Sequence, residues 1–390
     1  MVSRRPMPQR DPRVRSSVIV LVLVSLMFAA AALTAFIEKA STDLMVEVRE
    51  TGARRLRQEA FSALEVTLAV LEDFRQADSG LHNSGEGWGD PLGWAGWEPS
   101  EGRRVDVSFQ DESGKIPLRH ANITALTNLF EYWQMAPADA ERLADAIEGW
   151  MQNGYVYTTT LNPDYQDAAI PYAEPGRPLR SFSELAAVDY AKDVFFDENG
   201  LPNASYWRFV NDVSIFNYSQ PDANGANADV MAAAGQYTDS QQQHIADYLA
   251  GTGQFANQGQ NWFQNASTLA TVAGAGGNAA AFGTTITALR VNITVHEGAT
   301  LYRLSVVVSP QGGATLNQTN AVNPASAATA SSSGVATSTS ITSTSKPSST
   351  ASSAATSAAA SQSINYPFTV LEMLENDQIP QPAPPPAPPS

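Results

Sequence analysis

From Val18 to Ile37 the chain reads VIVLVLVSLMFAAAALTAFI, with no charged residue and only Ser25 and Thr34 polar. As a helix, such a run rises about 30 Å, the thickness of a hydrocarbon core, so it can cross a membrane. Arg4, Arg5, Arg10, Arg13 and Arg15 precede it against the single Asp11, and Glu38 follows it. Positive charge is retained on the cytoplasmic side, so the asymmetry predicts a cytoplasmic amino terminus and an exported remainder.

The helical pattern does not stop at the membrane edge. Met45, Val48, Gly52, Leu56, Phe61, Leu64, Leu68 and Leu71 recur at three- and four-residue steps, with Glu47, Arg49, Arg54, Arg55, Arg57, Glu65 and Glu72 mostly between them. Two readings are open. Either one long helix runs on and its outer half packs against a globular head, or a plain anchor is followed by a separate core helix.

Composition narrows the function classes. Asp and Glu outnumber Lys and Arg by 39 to 23, for a net charge of −16. Phosphate backbones and anionic lipid headgroups are repelled by such a chain, which speaks against a nucleic-acid partner. With no cysteine in the sequence, disulfides, thiolate nucleophiles and zinc–thiolate sites are all excluded. A hydrophobic content of 43% supplies a real core. Processing of the amino terminus has two readings: a signal peptidase cut among the alanines from Ala29 to Ala35, which removes the anchor, or a cut on the cytoplasmic side, which keeps it.

Beyond the helix, Ser79 to Gly102 is a Gly- and Trp-rich connection whose Trp88, Trp94 and Trp97 are read as packing rather than binding residues. Val105, Val107 and Phe109 alternate with polar residues as a half-buried strand, closed by the turn Asp111-Glu-Ser-Gly114. From Asn122 to about Gly274 the period is helical. Ile123–Met135 is one helix and Pro137 opens another, while Ser181-Phe-Ser-Glu184 has capping-box spacing before a short helix through Leu185 and Val188. Further helices start at Asn227, at Thr238 with Gln241, and at Asn265. Leu143–Gly149 and Ile245–Gly251 align, which suggests two similar short-helix units. Leu289–Val295 and Tyr302–Val308 alternate about Glu297-Gly298 as a hairpin. Residues 311–363 are nearly all Ser, Thr, Ala, Gly and Asn and are read as a flexible insertion; a last strand spans Tyr366–Leu374, with a Pro-rich tail after it.

Catalytic signatures are missing: there is no G-x-S-x-G, H-E-x-x-H, G-x-x-x-x-G-K or G-x-G-x-x-G. His244 and Asp247 share a helical face, which is ordinary surface chemistry. Asp193, Asp197 and Asn199 offer oxygens about a tight turn and are weak calcium candidates, since the full D-x-[DN]-x-[DN]-G order is absent. No other cofactor is expected.

The order of these features resembles the K-type minor pseudopilins of the type II secretion system, the GspK family. The resemblance is carried by Arg15-Ser-Ser-Val-Ile-Val-Leu-Val, Asp111-Glu-Ser-Gly-Lys-Ile, Ala138-Asp-Ala-Glu-Arg-Leu-Ala-Asp-Ala-Ile-Glu-Gly-Trp150, Tyr172 with Arg177-Pro-Leu and Ser183-Glu-Leu185, and the strands from Leu289 to Val308. It implies an α+β fold: a pilin-like long amino-terminal helix packed on a small antiparallel sheet, with a large inserted all-α (short-helix, SAM-like) domain. The chain then divides into a basic leader (1–16), the transmembrane and amphipathic helix (17–77), a loop and first strand of the head (78–117), and the inserted helical domain (118–283). After these come the hairpin (284–310), the flexible insertion (311–363), the last strand (364–376) and the tail (377–390).

The resemblance further implies a non-enzymatic subunit at or near the tip of a pseudopilus, initiating or capping it during protein export. A prepilin peptidase is expected to cut between Ser16 and Ser17. Leu21 then stands where most pilin-like subunits carry a glutamate that pairs with a neighbour's terminal amine; an apolar residue there suits a subunit with nothing above it, because an unpaired carboxylate in lipid is costly. The face Leu56, Phe61, Leu64 and Leu68 is assigned to helix packing or a partner. Expected partners are other minor pseudopilins, the inner-membrane secretion platform and the peptidase, at a single-pass inner-membrane location with the bulk of the chain periplasmic. The family's pattern departs around Asn217 and Asn224–Asn227, where the second helical unit is expected to be remodelled. The alternative is a membrane-anchored periplasmic hydrolase or binding protein, which requires polar side chains converging in a cavity.

Overall fold

The computed structural model describes residues 12–121, 123–167, 170–256, 259–316 and 367–381. The leader as far as Asp11, most of the Ser/Thr-rich insertion (from Asn317) and the tail from Pro382 lie outside the described residues.

One helix, α1, runs unbroken from Pro12 to Asp78, 67 residues. Pro12 supplies the preset φ that suits a first helical position, and no proline interrupts the chain until past Asp78. The helix stops where Ser79 turns left-handed at φ 60°. Of the two readings of the amphipathic stretch, the continuous rod is the observed one.

After α1 come α2 (Pro91–Ala95), β1 (Arg103–Asp111), β2 (Ile116–Pro117), α3 (Ile123–Tyr132), α4 (Pro137–Met151), α5 (Ala191–Phe195), α6 (Ala204–Asp212) and β3 (Val213–Ser214). These are followed by α7 (Ala228–Gly235), α8 (Asp239–Ala250), α9 (Ala266–Ala273), β4 (Leu289–Glu297), β5 (Thr300–Pro310) and β6 (Phe368–Glu375). The main sheet has the order β1-β4-β5-β6 and is antiparallel throughout, with Val105 opposite Val295 and Val107 opposite Ile293. All the helices from α3 to α9 therefore sit between two neighbouring strands of one sheet, as an insertion.

Leu56, Ala60, Ala63, Leu64, Leu68 and Leu71 of α1 are buried together with Leu289, Val291, Ile293 and Val295 of β4 and Tyr302, Leu304, Val306 and Val308 of β5. Ala60 and Ala63 let the helix approach the sheet closely. The connection after α1 packs on this body: Trp88 meets Phe109 edge-on at 5.0 Å and Trp94 lies 5.0 Å from Phe74. A second, larger core holds the helical insertion together, with Leu126, Leu129 and Phe130 of α3, Leu143 and Ile147 of α4, and Phe209 of α6 all fully buried.

Several local expectations shift. At Ser181 the chain forms a 3-10 turn, Phe182–Ala187, instead of an α-helix. There the Glu184 carboxylate accepts from Arg180 N at 2.9 Å and from Arg177 Nη1 at 3.1 Å, so it is engaged by arginine and does not complete a capping box. Thr238 and Gln241 do form one at the start of α8. Asn227 and Asn265 cap α7 and α9 through their side chains. A register shift between Val307 and Val308 breaks the simple alternation of β6, burying Leu371 and leaving Val370 42% exposed. The two-residue parallel pair β2–β3, Ile116 opposite Val213, is too short to leave a period in the sequence.

Candidate assembly site

Among the described residues, none covers the first half of α1 from Val20 onward. From Val20 to Ile37 the large apolar side chains are exposed, Leu21 at 67% and Phe28 at 73%. The polar residues of this stretch serve themselves: Ser25 Oγ donates to Leu21 O at 2.7 Å and Thr34 Oγ1 to Ala30 O at 3.0 Å, so neither hydroxyl is left unbonded against lipid. The segment is long and apolar enough to cross a membrane. Ser16 and Ser17 fall in the opening turns of α1.

Leu44, Met45 and Val46 are also exposed, so the head covers α1 only from Leu56 onward, later than the period from Met45 suggested. Leu56, Leu64 and Leu68 belong to the head's own core and Phe61 packs partly against it, with the Arg57 guanidinium 4.7 Å over its ring. Their burial assigns this face to packing within the chain. The uncovered surface is the stretch before it.

Sequence reasoning missed three groups of buried acids, of which the first joins the insertion to the head and the other two lie within the insertion. Asp111, at the end of β1, and Asp222 bond each other, and their Oδ2 atoms find no donor from another described residue. Such a bond requires one carboxyl to hold a proton. Burial pushes Asp111 up to about 6, and burial together with the Asp111 charge raises Asp222 well above the usual carboxylate range. Asp111 Oδ1 accepts from Ser113 N at 2.8 Å, and Asp222 Oδ1 from Asn224 N at 3.2 Å. Two turns meet here so closely that a Cβ on Gly225 would stand 2.0 Å from Asp111 Oδ2, and one on Gly114 2.4 Å from the Gly225 carbonyl carbon.

Asp212, at the end of α6, is pushed up to about 7 by burial and by Asp229, while its Oδ1 accepts from Asn227 Nδ2 at 2.6 Å. Asp229 is also buried in part, but the Arg208 guanidinium at 2.6 Å holds it below the usual range. Asp145 is fully buried on α4 and accepts from Thr159 Oγ1 at 2.6 Å, Thr159 N at 2.9 Å, Thr158 N at 3.1 Å and Tyr155 Oη at 2.8 Å. These bonds overcome the burial that opposes its charge and lower its pKa. An acid inside the apolar run Leu143-Ala-Asp-Ala-Ile147 was the signal available. In the aligned stretch, the Asp247 carboxylate accepts from Gln243 Nε2 and the Thr252 hydroxyl near the surface, so the two units differ at this position.

Between the outer face of the sheet and α6 lies a cleft of about 470 Å³ lined by Phe182, Tyr206, Trp207, Asn211, Arg290 and Glu372, among others. Its charges are bonded to one another. Glu112 takes Lys115 Nζ at 3.0 Å and Arg290 Nε at 3.3 Å, and Arg290 Nη1 reaches Glu372 at 2.8 Å. Burial works against the Arg290 charge, yet Glu112 and Glu372 together raise its pKa.

At the turn read as a calcium candidate, Asp197 Oδ1 accepts from Asn199 N at 2.9 Å and Leu201 N at 2.8 Å, and Asp193 lies alongside. No group of three or more His, Asp or Glu able to hold a metal ion occurs among the described residues.

Residues 107–195, from the middle of β1 to the end of α5, match the family model described as type II secretion system protein K. A solved structure, the GspK-GspI-GspJ complex from the enterotoxigenic Escherichia coli type 2 secretion system, aligns with a TM-score of 0.48 and 12% identity, covering 68% of this chain and 94% of that one. No curated protein matches the chain. Through residues 107–195 the chain is therefore similar to protein K of the type II secretion system.

Proposed function

We propose that this protein acts at or near the tip of a pseudopilus, initiating or capping it during protein export, as a non-catalytic subunit. The observation that carries this reading is the division of α1: an unbroken helix whose second half packs on its own head and whose first half, including Leu21, is covered by no other described residue. Such a rod gains by lying in lipid and then beside similar rods. On this reading the peptidase cuts between Ser16 and Ser17, the amino terminus is cytoplasmic and the head periplasmic. The partners are other minor pseudopilins and the secretion platform.

The cleft beside α6 is the feature to weigh for the alternative of an anchored hydrolase or binding protein. Its Glu112, Lys115, Arg290 and Glu372 neutralise each other, which builds a junction and supplies neither nucleophile nor base.

A cysteine in place of Met45 tests the assembly reading, because the native chain has none. In membranes holding the whole secretion system, Met45→Cys is expected to form a disulfide with a cysteine placed on the equivalent helix of another pilin-like subunit. Crosslinking no greater than that of a cysteine at Glu198, in the helical insertion, would contradict it.

A further inference from the structure

Between the apolar run that ends at Ile37 and Leu56, where burial in the head begins, α1 carries a stripe of charge. Asp43, Glu47, Glu50, Arg54 and Arg57 follow one another at steps of four, three, four and three, so they share one side of the helix, and each is exposed. The signs are sorted into blocks, with the acids nearer the apolar run and the arginines nearer the head. Glu50 meets Arg54 at 3.3 Å, whereas Asp43 and Glu47 have no ion pair or hydrogen bond with any described residue. We propose that this stripe docks a second membrane-anchored helix parallel to α1, one that presents Lys or Arg at the height of Asp43 and Glu47 and Asp or Glu at the height of Arg54. The proposal rests on the reading of α1 as a rod that lies beside similar rods, and it names the chemistry of the neighbour.

Two independent observations favour that occupant. A helix standing alone in water gains where an acid precedes a base by four residues, and loses where like charges stand three or four apart. Asp43 with Glu47 and Glu47 with Glu50 are both of the losing kind, and cations on a neighbouring helix turn that repulsion into attraction. The second observation is the continuation of the same side toward the head. Arg57 is bonded to Glu375 of β6 at 2.8 Å, and one turn on stands the partly buried Phe61. β6 is an edge strand, and its Val370 and Met373, 42% and 38% exposed, pair with Val308 and Val306 of the face that packs on α1. A helix laid along the stripe therefore runs from a charged stretch onto an apolar one, with the charge blocks setting its axial register. A copy of this chain held in register would set like charge against like, so the neighbour is a different subunit.

Disulfide crosslinking in membranes that hold the whole secretion system tests the proposal. Met45→Cys, paired with a cysteine on the equivalent helix of another pilin-like subunit, is compared in three backgrounds. The first has the native charges, the second combines Asp43→Lys with Glu47→Lys, and the third combines Asp73→Lys with Asp78→Lys, an equal change of charge on exposed acids at the far end of α1. Asp43 and Glu47 touch no part of the head, so their replacement leaves the folded body intact. Docking predicts crosslinking roughly tenfold slower in the second background and unchanged in the third, with a native rate that falls as salt is raised. A native rate in the second background overturns the proposal and leaves the rod reading standing. An equal loss in the second and third backgrounds, or disulfides only between two copies of this chain, also overturns it. Absence of crosslinks in every background overturns both the proposal and the rod reading.

Discussion

The Glu59 carboxylate on α1 accepts a hydrogen bond from Arg103 Nη1 of β1 at 2.9 Å, with each side chain only 10% exposed. Ser100 N and Oγ each add a bond to Glu59 at 2.7 Å, and Arg103 Nε reaches Glu297 in the hairpin at 3.1 Å. One acid on the rod thereby fixes the strand before the insertion and the hairpin after it. Removing one member of a buried pair leaves the other uncompensated, so Glu59→Ala is expected to cost about 3 kcal/mol. The exposed pair of Arg57 and Glu375 is the control: Glu375→Gln is expected to leave the melting temperature unchanged, because water screens that pair. Thermal unfolding of the two variants checks both statements.

Asp145 should act as a clamp on the loop after α4. Its carboxylate holds Tyr155, Thr158 and Thr159, so Asp145→Ala strands several donors at once. A loss of about 3 kcal/mol is expected, from the broken bonds and the unpaired groups left behind. Limited proteolysis should then cut between Tyr155 and Leu161 well before the rest of the head. A variant that stays resistant there would show that the loop is held by other contacts.

The raised acids give stability a definite pH dependence. Asp111 titrates at about 6 and Asp212 at about 7 in the folded state, against about 3.9 in an unfolded chain. Between those limits the folded protein keeps protons that the unfolded chain has released, so rising pH favours unfolding. Their contribution is full below about pH 4 and is lost as the pH rises through 6 and 7. Glu59 and Asp145 are held low and work in the opposite sense, losing their contribution as pH falls below about 4. Maximal stability is therefore expected at about pH 5, with a falling melting temperature from pH 5 to 8. Asp222→Asn, which removes the shared charge, should flatten that fall.

Those parts of the fold with a long period were legible in the sequence. The rod, the β1 strand, the hairpin and the helix caps at Asn227, Thr238 and Asn265 each carry local signals that the structure reproduces. What the sequence hid was whatever depends on distant residues meeting. Asp111 reads as a turn residue and Asp222 as a loop residue until the crossing at Gly114 and Gly225 brings them together. Similarly, the Leu56–Leu68 face looks alike whether it meets a partner or its own sheet, and only the packing against β4 and β5 decides. The β6 bulge and the β2–β3 pair involve too few residues to leave a pattern.

Mass spectrometry of the mature amino terminus, on protein recovered from membranes of cells with the intact secretion system, addresses the central claim most directly. A chain beginning at Ser17, with Val18–Ile37 retained, is the expected result. A chain beginning near Ala35 would have lost the rod on which assembly depends and would contradict the claim, as would an uncut chain beginning at Met1.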